Sequence, residues 1–131
     1  MNRAGSVLLD TSVIVDFIRG DQRLRPQFAA VATMYVPLVA LGELHFGAQR
    51  APRREEALAQ VREFLRVATV LLPDENTAEQ YGQVKAELAR LGRPIPENDI
   101  WIAAAARQHD LPLATRDAHF AAVQGLKTLA W

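Results

Sequence analysis

The sequence contains no cysteine, which excludes disulfide bonds and thiolate metal sites. The sequence has three histidines, His45, His109 and His119, and they do not have the spacing of a zinc-binding motif. A metal ion, if one is bound, is therefore expected to have oxygen ligands, as Mg²⁺ and Mn²⁺ prefer.

A long hydrophobic run is also missing. Asp10 and Asp16 interrupt the first apolar stretch, which makes it a poor signal-peptide core. The longest uncharged stretch, from Pro26 to Gly42, is short for a membrane span and contains two prolines. These features predict a soluble, cytoplasmic protein without a membrane segment.

Net charge is absent as well, because 15 basic residues balance 15 acidic residues. The balance by itself does not indicate a nucleic-acid partner. Arginines nevertheless concentrate in one predicted helical stretch, at positions Arg50, Arg53, Arg54, Arg62 and Arg66. Two interpretations stay open, a basic surface for nucleic acid and an ordinary solvated helix face.

The order of apolar clusters predicts an α/β fold with a parallel sheet of about five strands flanked by helices. At 131 residues, half of them hydrophobic, the chain has the size of one domain, residues 1–131. Strands are predicted at Ser6–Asp10, Met34–Val36, Thr69–Leu71, Leu113–Thr115 and Lys127–Ala130. Helices are predicted from Thr11 or Ser12 to Arg19, and over Pro37–Arg50, Arg53–Val67, Asn76–Leu91, Glu97–His109 and Ala118–Val123.

Four acidic residues stand next to core-type segments, where a lone carboxylate is costly. Asp10 and Asp117 follow predicted strands, and Glu43 and Asp99 lie in early turns of predicted helices. Because parallel sheets gather their ligands beyond the carboxyl ends of the strands, these four side chains are expected to meet. A desolvated carboxylate loses several kcal/mol unless it is paired or bound to metal, so the pattern predicts one shared cation site.

Each acid also has an ordinary structural interpretation. Asp10 and Asp99 could cap helices, although neighbouring hydroxyls and Asn98 are available for that purpose. Glu43 could be a surface acid on an amphipathic helix, and Asp117 a turn residue. The common location of all four favours the cation site over four separate explanations.

Four short motifs contain these acids: Leu8–Asp16, Gly42–Leu44 followed by Gly47, Asn98–Ala104 and Thr115–Phe120. With these motifs in this order, the chain resembles a PIN-domain ribonuclease, and within that family the VapC toxins of type II toxin–antitoxin modules. Each motif is weak alone, but four in this order are strong together, and the resemblance extends from Leu8 to the last predicted strand, which is nearly the whole chain.

The resemblance implies cleavage of RNA phosphodiesters with one or two Mg²⁺ or Mn²⁺ ions. Asp10 and Asp99 would be metal ligands, Asp117 a ligand directly or through water, and Glu43 a ligand or a base that orients water. It further implies a homodimer that is silenced by the C-terminal segment of a cognate antitoxin. Apolar helical residues expected to contribute to the dimer are Leu38, Leu41, Leu44, Tyr81, Val84, Leu88 and Leu91.

Four other polar residues have predicted roles. The hydroxyls of Thr11 and Thr115 are candidates for orienting a carboxylate. Asp16 is expected to be solvated, and Asp74 to be a turn acid or a helix cap.

Two alternatives place acids at strand ends without RNA cleavage. An aspartyl-phosphate domain needs either a lysine after a late strand or a second aspartate two positions after the first, where Ser12 stands. A non-catalytic interaction domain would have to carry buried carboxylates without using them, which lowers stability.

Overall fold

A single parallel sheet organises the structure, a computed structural model that describes residues 4–131. Its strands, numbered along the chain, are β1 (Ala4–Leu9), β2 (Val31–Pro37), β3 (Thr69–Leu71), β4 (Leu113–Thr115) and β5 (Thr128–Ala130). Their order across the sheet is β3-β2-β1-β4-β5, and every neighbouring pair is parallel. The predicted α/β class and the five predicted strands are confirmed.

Helices flank the sheet. They are α1 (Thr11–Ile18), α2 (Arg25–Ala30), α3 (Leu38–Gln49), α4 (Arg54–Phe64), α5 (Glu75–Arg90) and α6 (Glu97–Gln108). Short 3₁₀ helices cover Gln22–Leu24 and Ala118–Ala122. The sequence-based prediction missed α2 and the first 3₁₀ helix. Pro26 stands at the start of α2, where a missing N–H costs nothing, and the helix buries only Phe28, too few apolar positions for a recognisable period.

The hydrophobic core is centred on β1 and β4. Leu8, Leu9, Leu113 and Ala114 have no exposed surface, because these strands are covered on both faces. Helix α6 is also deeply buried, with five consecutive core residues from Ile102 to Ala106. This packing fixes the carboxyl ends of β1 and β4 side by side, and the chain leaves both strands at the same edge of the sheet.

The turn from β1 into α1 differs from its prediction. Asp10 itself is the N-terminal cap, and its carboxylate accepts a hydrogen bond from the Thr11 N–H. Thr11 or Ser12 as the cap was therefore wrong. Helix α1 ends where Gly20 adopts a φ of 90°, a conformation open to glycine.

Across residues 4–131, none of the helices combines the length and the apolar character needed to span a membrane.

Candidate metal centre

Four carboxylates line one open cleft of about 570 Å³ at the carboxyl edge of the sheet. Asp10 follows β1, Asp117 follows β4, Glu43 lies in α3, and Asp99 lies in the first turn of α6. The remaining lining residues are Thr11, Ser12, Arg116 and Ala118. The structure therefore brings together all four acids that the sequence singled out.

Asp10 is the most buried of these acids, with 4% of its surface exposed. Its Oδ2 accepts hydrogen bonds from the hydroxyls of Thr115 at 2.8 Å and Ser12 at 3.2 Å. Its Oδ1 accepts the N–H of Thr11 at 2.8 Å. Three donors hold this carboxylate in one orientation.

Thr115 connects the two strand ends that carry the site. While its hydroxyl donates to Asp10, the same oxygen accepts the N–H of Asp117 at 3.0 Å. Thr115 is itself buried, so the bridge is sheltered from water. This hydroxyl therefore adds a side-chain link between Asp10 and Asp117 to the backbone pairing of β1 and β4.

Glu43 is half-buried and is oriented by the neighbouring element. The hydroxyl of Thr11, at the start of α1, donates to Glu43 Oε1 at 2.9 Å. Contact between a helix-start hydroxyl and a helical glutamate agrees with the prediction that Thr11 orients a carboxylate.

The carboxyl of Asp99 has a raised pKa. Burial raises the pKa of its carboxyl from 3.8 to about 6, with further increases from the charges of Asp10, Asp117 and Glu43. His119 acts in the opposite direction. Negative charges are thus close enough to repel one another, which is the condition that a bound cation relieves.

His119 is the site residue that sequence reasoning missed. Its Nδ1 lies 3.0 Å from Asp117 Oδ1, and ligand atoms of Asp99, Asp117 and His119 all lie within 4.8 Å of one another. Asp117 caps the 3₁₀ helix that carries His119 and accepts its N–H at 2.9 Å. The two-residue spacing of Asp117 and His119 was the available signal, but it becomes meaningful only once a tight turn is known.

Arg116 lines the cleft next to Asp117, but its ion pairs are with acids outside the cleft. Its Nη1 donates to Asp16 at 2.7 Å and to Asp21 at 2.9 Å, and its Nε donates to the Trp131 carbonyl at 2.6 Å. Asp16 was predicted to be solvated; its side chain is 35% exposed, and it is also paired with Arg116, which lies 100 positions away in the chain.

The donor set fits a divalent cation. Within residues 4–131, no lysine or arginine forms an ion pair with Asp10, Glu43, Asp99 or Asp117, and His119 is the one basic side chain that pairs with any of them. Several oxygen ligands in an open, negatively charged cleft suit Mg²⁺ or Mn²⁺.

Sequence comparison places the chain near proteins of known class. Residues 7–126 match the PIN domain family. Ribonuclease VapC2 of Haemophilus influenzae is 34% identical over 127 residues, which cover 95% of this chain and 96% of that protein. The tRNA(fMet)-specific endonuclease VapC of Shigella flexneri is 35% identical over 127 residues, with the same coverage of 95% and 96%.

Solved structures give the same result. VapBC of Salmonella typhimurium bound to DNA superposes with a TM-score of 0.84 at 28% identity, covering 98% of each chain. VapBC-5 of Mycobacterium tuberculosis superposes with a TM-score of 0.77 at 30% identity, covering 96% of this chain and 98% of that chain.

Proposed function

We infer that this chain, which belongs to the PIN-domain family and within it to the VapC ribonucleases, is a toxin that hydrolyses RNA with Mg²⁺ or Mn²⁺ at its acidic cleft. We take residues 1–131 as one PIN domain that acts on RNA in the cytoplasm. The observation that carries the proposal is the convergence of four carboxylates in one cleft, where no lysine or arginine of residues 4–131 forms an ion pair with them.

Asp10, Glu43, Asp99 and Asp117 would hold the metal. A divalent ion, when bound, supplies activation of water near neutral pH and stabilisation of the charge on the phosphate and the leaving oxygen. Asp10 is kept in one orientation by Thr115, and Glu43 by Thr11, so these carboxylates need little reorganisation on binding. No protein nucleophile is required, since water attacks the phosphorus.

Glu43 is also positioned to orient the attacking water. One of its oxygens accepts the Thr11 hydroxyl, which leaves the other carboxylate oxygen available to accept a proton. Whether it acts as ligand or base, its orientation comes from α1 rather than from its own helix.

Exposed basic residues would attract RNA to the cleft. Candidates for this role are Arg19, Arg50, Arg53, Arg54 and Arg116. Arg116 is committed to Asp16 and Asp21, so it is removed from this set. Arg50 stays exposed over the ring of Phe46, one turn beyond Phe46 and two turns beyond Glu43 on α3.

We further propose a cognate antitoxin as the partner. A basic side chain of that partner, inserted among the four carboxylates, would replace the charge of the metal and block the cleft. Apolar residues of the partner could cover Phe46, which is 63% exposed beside the site. The toxin alone should then arrest growth, and co-expression with the antitoxin should restore it.

The proposed homodimer rests on a smaller apolar surface than the sequence suggested. Leu44, Val84 and Leu88 are buried in the core and cannot take part. Leu38 and Leu91 remain exposed, and Leu38 borders an apolar groove of about 480 Å³ together with Leu72 and Trp101. Light scattering at micromolar concentration tests the dimer independently of the nuclease activity.

The aspartyl-phosphate alternative gains no support from the site. Lys85 pairs with Glu97 and Lys127 with Asp110, and neither lysine lines the cleft. A lysine that steadies a phosphorylated aspartate is therefore not in place.

The decisive experiment is cleavage of single-stranded RNA by purified protein. RNA should be cut in the presence of Mg²⁺ or Mn²⁺ and left intact when EDTA removes the ion. Phosphorylation of the protein without RNA cleavage would overturn the proposal in favour of the aspartyl-phosphate class.

A further inference from the structure

We propose that His119 is a metal ligand, which with Asp99 and Asp117 forms a cation position that favours Mn²⁺ and related transition metals over Mg²⁺. The inference deepens the proposed ribonuclease function, because it concerns the same cleft and takes the presence of a divalent ion as its premise.

The cleft divides into two sides by hydrogen bonding. Asp10 is occupied by three donors, and Glu43 by the Thr11 hydroxyl. On the other side, Asp99, Asp117 and His119 present ligand atoms that all lie within 4.8 Å of one another. The second group therefore has its own geometry, distinct from the Asp10 side.

The spacing of this second group is close to what one ion requires. Ligands on opposite sides of an octahedral ion at ~2.1 Å are separated by about 4.2 Å. The ligand atoms of Asp99, Asp117 and His119 lie within 4.8 Å of one another, so small side-chain rotations would bring them to this separation. His119 is able to rotate, since 56% of its side chain is exposed.

Asp117 holds the imidazole at the edge of the cleft. The ring Nδ1 lies 3.2 Å from Asp117 Oδ2, and the backbone N–H of His119 donates to Asp117 Oδ1. In this orientation the imidazole presents a ring nitrogen within 4.8 Å of the carboxylate oxygens of Asp99 and Asp117, as a potential metal ligand.

The chemical consequence is selectivity among ions. Carboxylates and water suit Mg²⁺ and Mn²⁺ alike, whereas imidazole nitrogen binds Mn²⁺, Co²⁺, Ni²⁺ and Zn²⁺ better than it binds Mg²⁺. A site made only of Asp10, Glu43, Asp99 and Asp117 would lack this preference. His119 thus changes which ion the cleft holds.

The test compares His119→Asn with wild-type protein by calorimetric titration of Mn²⁺ and of Mg²⁺. Loss of His119 should weaken Mn²⁺ binding about tenfold or more and change Mg²⁺ binding less than threefold. His109→Asn is the matched control. Its position lies ten residues beyond Asp99 at the far end of α6, about 15 Å along the helix axis, and both affinities should stay unchanged.

Electron spin-echo measurements on the Mn²⁺ complex provide a second readout that does not depend on activity. Protein labelled with ¹⁵N-histidine should show nitrogen coupling to Mn²⁺, and His119→Asn should abolish it. Absence of that coupling in the wild type, or an equal loss of Mn²⁺ and Mg²⁺ affinity in His119→Asn, would overturn the inference. RNA cleavage by the wild type would then still stand, so the two proposals fail separately.

Discussion

Two groups of acidic side chains lie on either side of the Arg116–Asp117 segment, and they differ in whether arginine pairs with them. Asp16 and Asp21 share the guanidinium of Arg116, and Asp21 also pairs with Arg23. On the other side of that bond, Asp117 joins three further carboxylates that no lysine or arginine of residues 4–131 pairs with. The first group is paired with arginine, while the second is not paired with any lysine or arginine of residues 4–131.

The pKa values of one acid from each group express the contrast. Hydrogen bonds from Arg23, and then from Arg116, hold the pKa of Asp21 well below its usual range. Burial, together with the neighbouring acids, raises the pKa of Asp99 to about 6. Arginine partners therefore lower the pKa of Asp21, whereas burial and neighbouring acids raise the pKa of Asp99.

Removing a carboxylate from the unneutralised group should have the largest effect. Asp10→Asn should lower the rate of RNA cleavage by about three orders of magnitude or more, because a lost ligand removes the metal's function. Single-turnover cleavage assays measure it, and circular dichroism checks the fold. Asp110→Asn, an exposed aspartate outside the cleft, is the control and should cleave normally. Near-normal cleavage by Asp10→Asn would remove the catalytic assignment.

Thr115→Val should reduce cleavage by about 10- to 100-fold, because the hydroxyl orients Asp10 and accepts the N–H of Asp117. It should also cost about 1–3 kcal/mol of stability by leaving buried polar groups unpaired. Thr77→Val is a matched control: Thr77 is equally buried and takes part in the cap of α5, away from the cleft. The control should lose stability in denaturant titrations while its cleavage rate holds, and equal losses of activity in both variants would argue against a specific role for Thr115.

Arg116→Ala tests the neutralised group. Two carboxylates would lose their shared partner, so the free energy of unfolding should fall measurably. Arg23→Ala removes the other partner of Asp21, but the Arg23 side chain is 83% exposed, so a smaller loss is expected. Urea unfolding distinguishes the two. Equal effects would mean that Arg116 is an ordinary surface ion pair.

Asp99→Asn should stabilise the metal-free protein, by about 1 kcal/mol after allowance for solvent screening. Because the folded pKa is about 6 against 3.8 for the ordinary carboxyl, wild-type stability from this group is present below pH 3.8 and is lost as the pH rises to 6. The advantage of Asp99→Asn should therefore be small near pH 4 and full above pH 6. Asp21 acts with the opposite sign, since its lowered pKa gives stability that is lost as the pH falls. Thermal unfolding across that pH range, with EDTA present, would contradict the account if the advantage of Asp99→Asn were largest at low pH.

The sequence predicted one of the two acidic groups well and the other poorly. Asp10, Glu43, Asp99 and Asp117 were found because each breaks a local apolar pattern, and the order of parallel strands then brings strand ends together. The second group depends on contacts between positions far apart in the chain, such as Arg116 with Asp16, which no local pattern reveals.

Tertiary contacts also explain why the sequence missed His119 and why it placed three core residues at a dimer surface. His119 is close to Asp99 only because a 3₁₀ turn follows Asp117. Leu44, Val84 and Leu88 were expected at a dimer surface, yet they are buried, because α5 and α6 pack on each other and α3 packs on α6. Periodicity identifies an apolar helix face but not which neighbour covers it.

The most direct test of the comparison is the thermal shift that Mn²⁺ produces in variants of each group. At a concentration about 100-fold above its dissociation constant, an ion that binds only the folded state adds about 2.7 kcal/mol. Wild type and Asp21→Asn should both gain melting temperature on addition of Mn²⁺, whereas Asp99→Asn should gain little. A full Mn²⁺ response in Asp99→Asn, together with its loss in Asp21→Asn, would contradict the claim that the unneutralised carboxylates form the metal site.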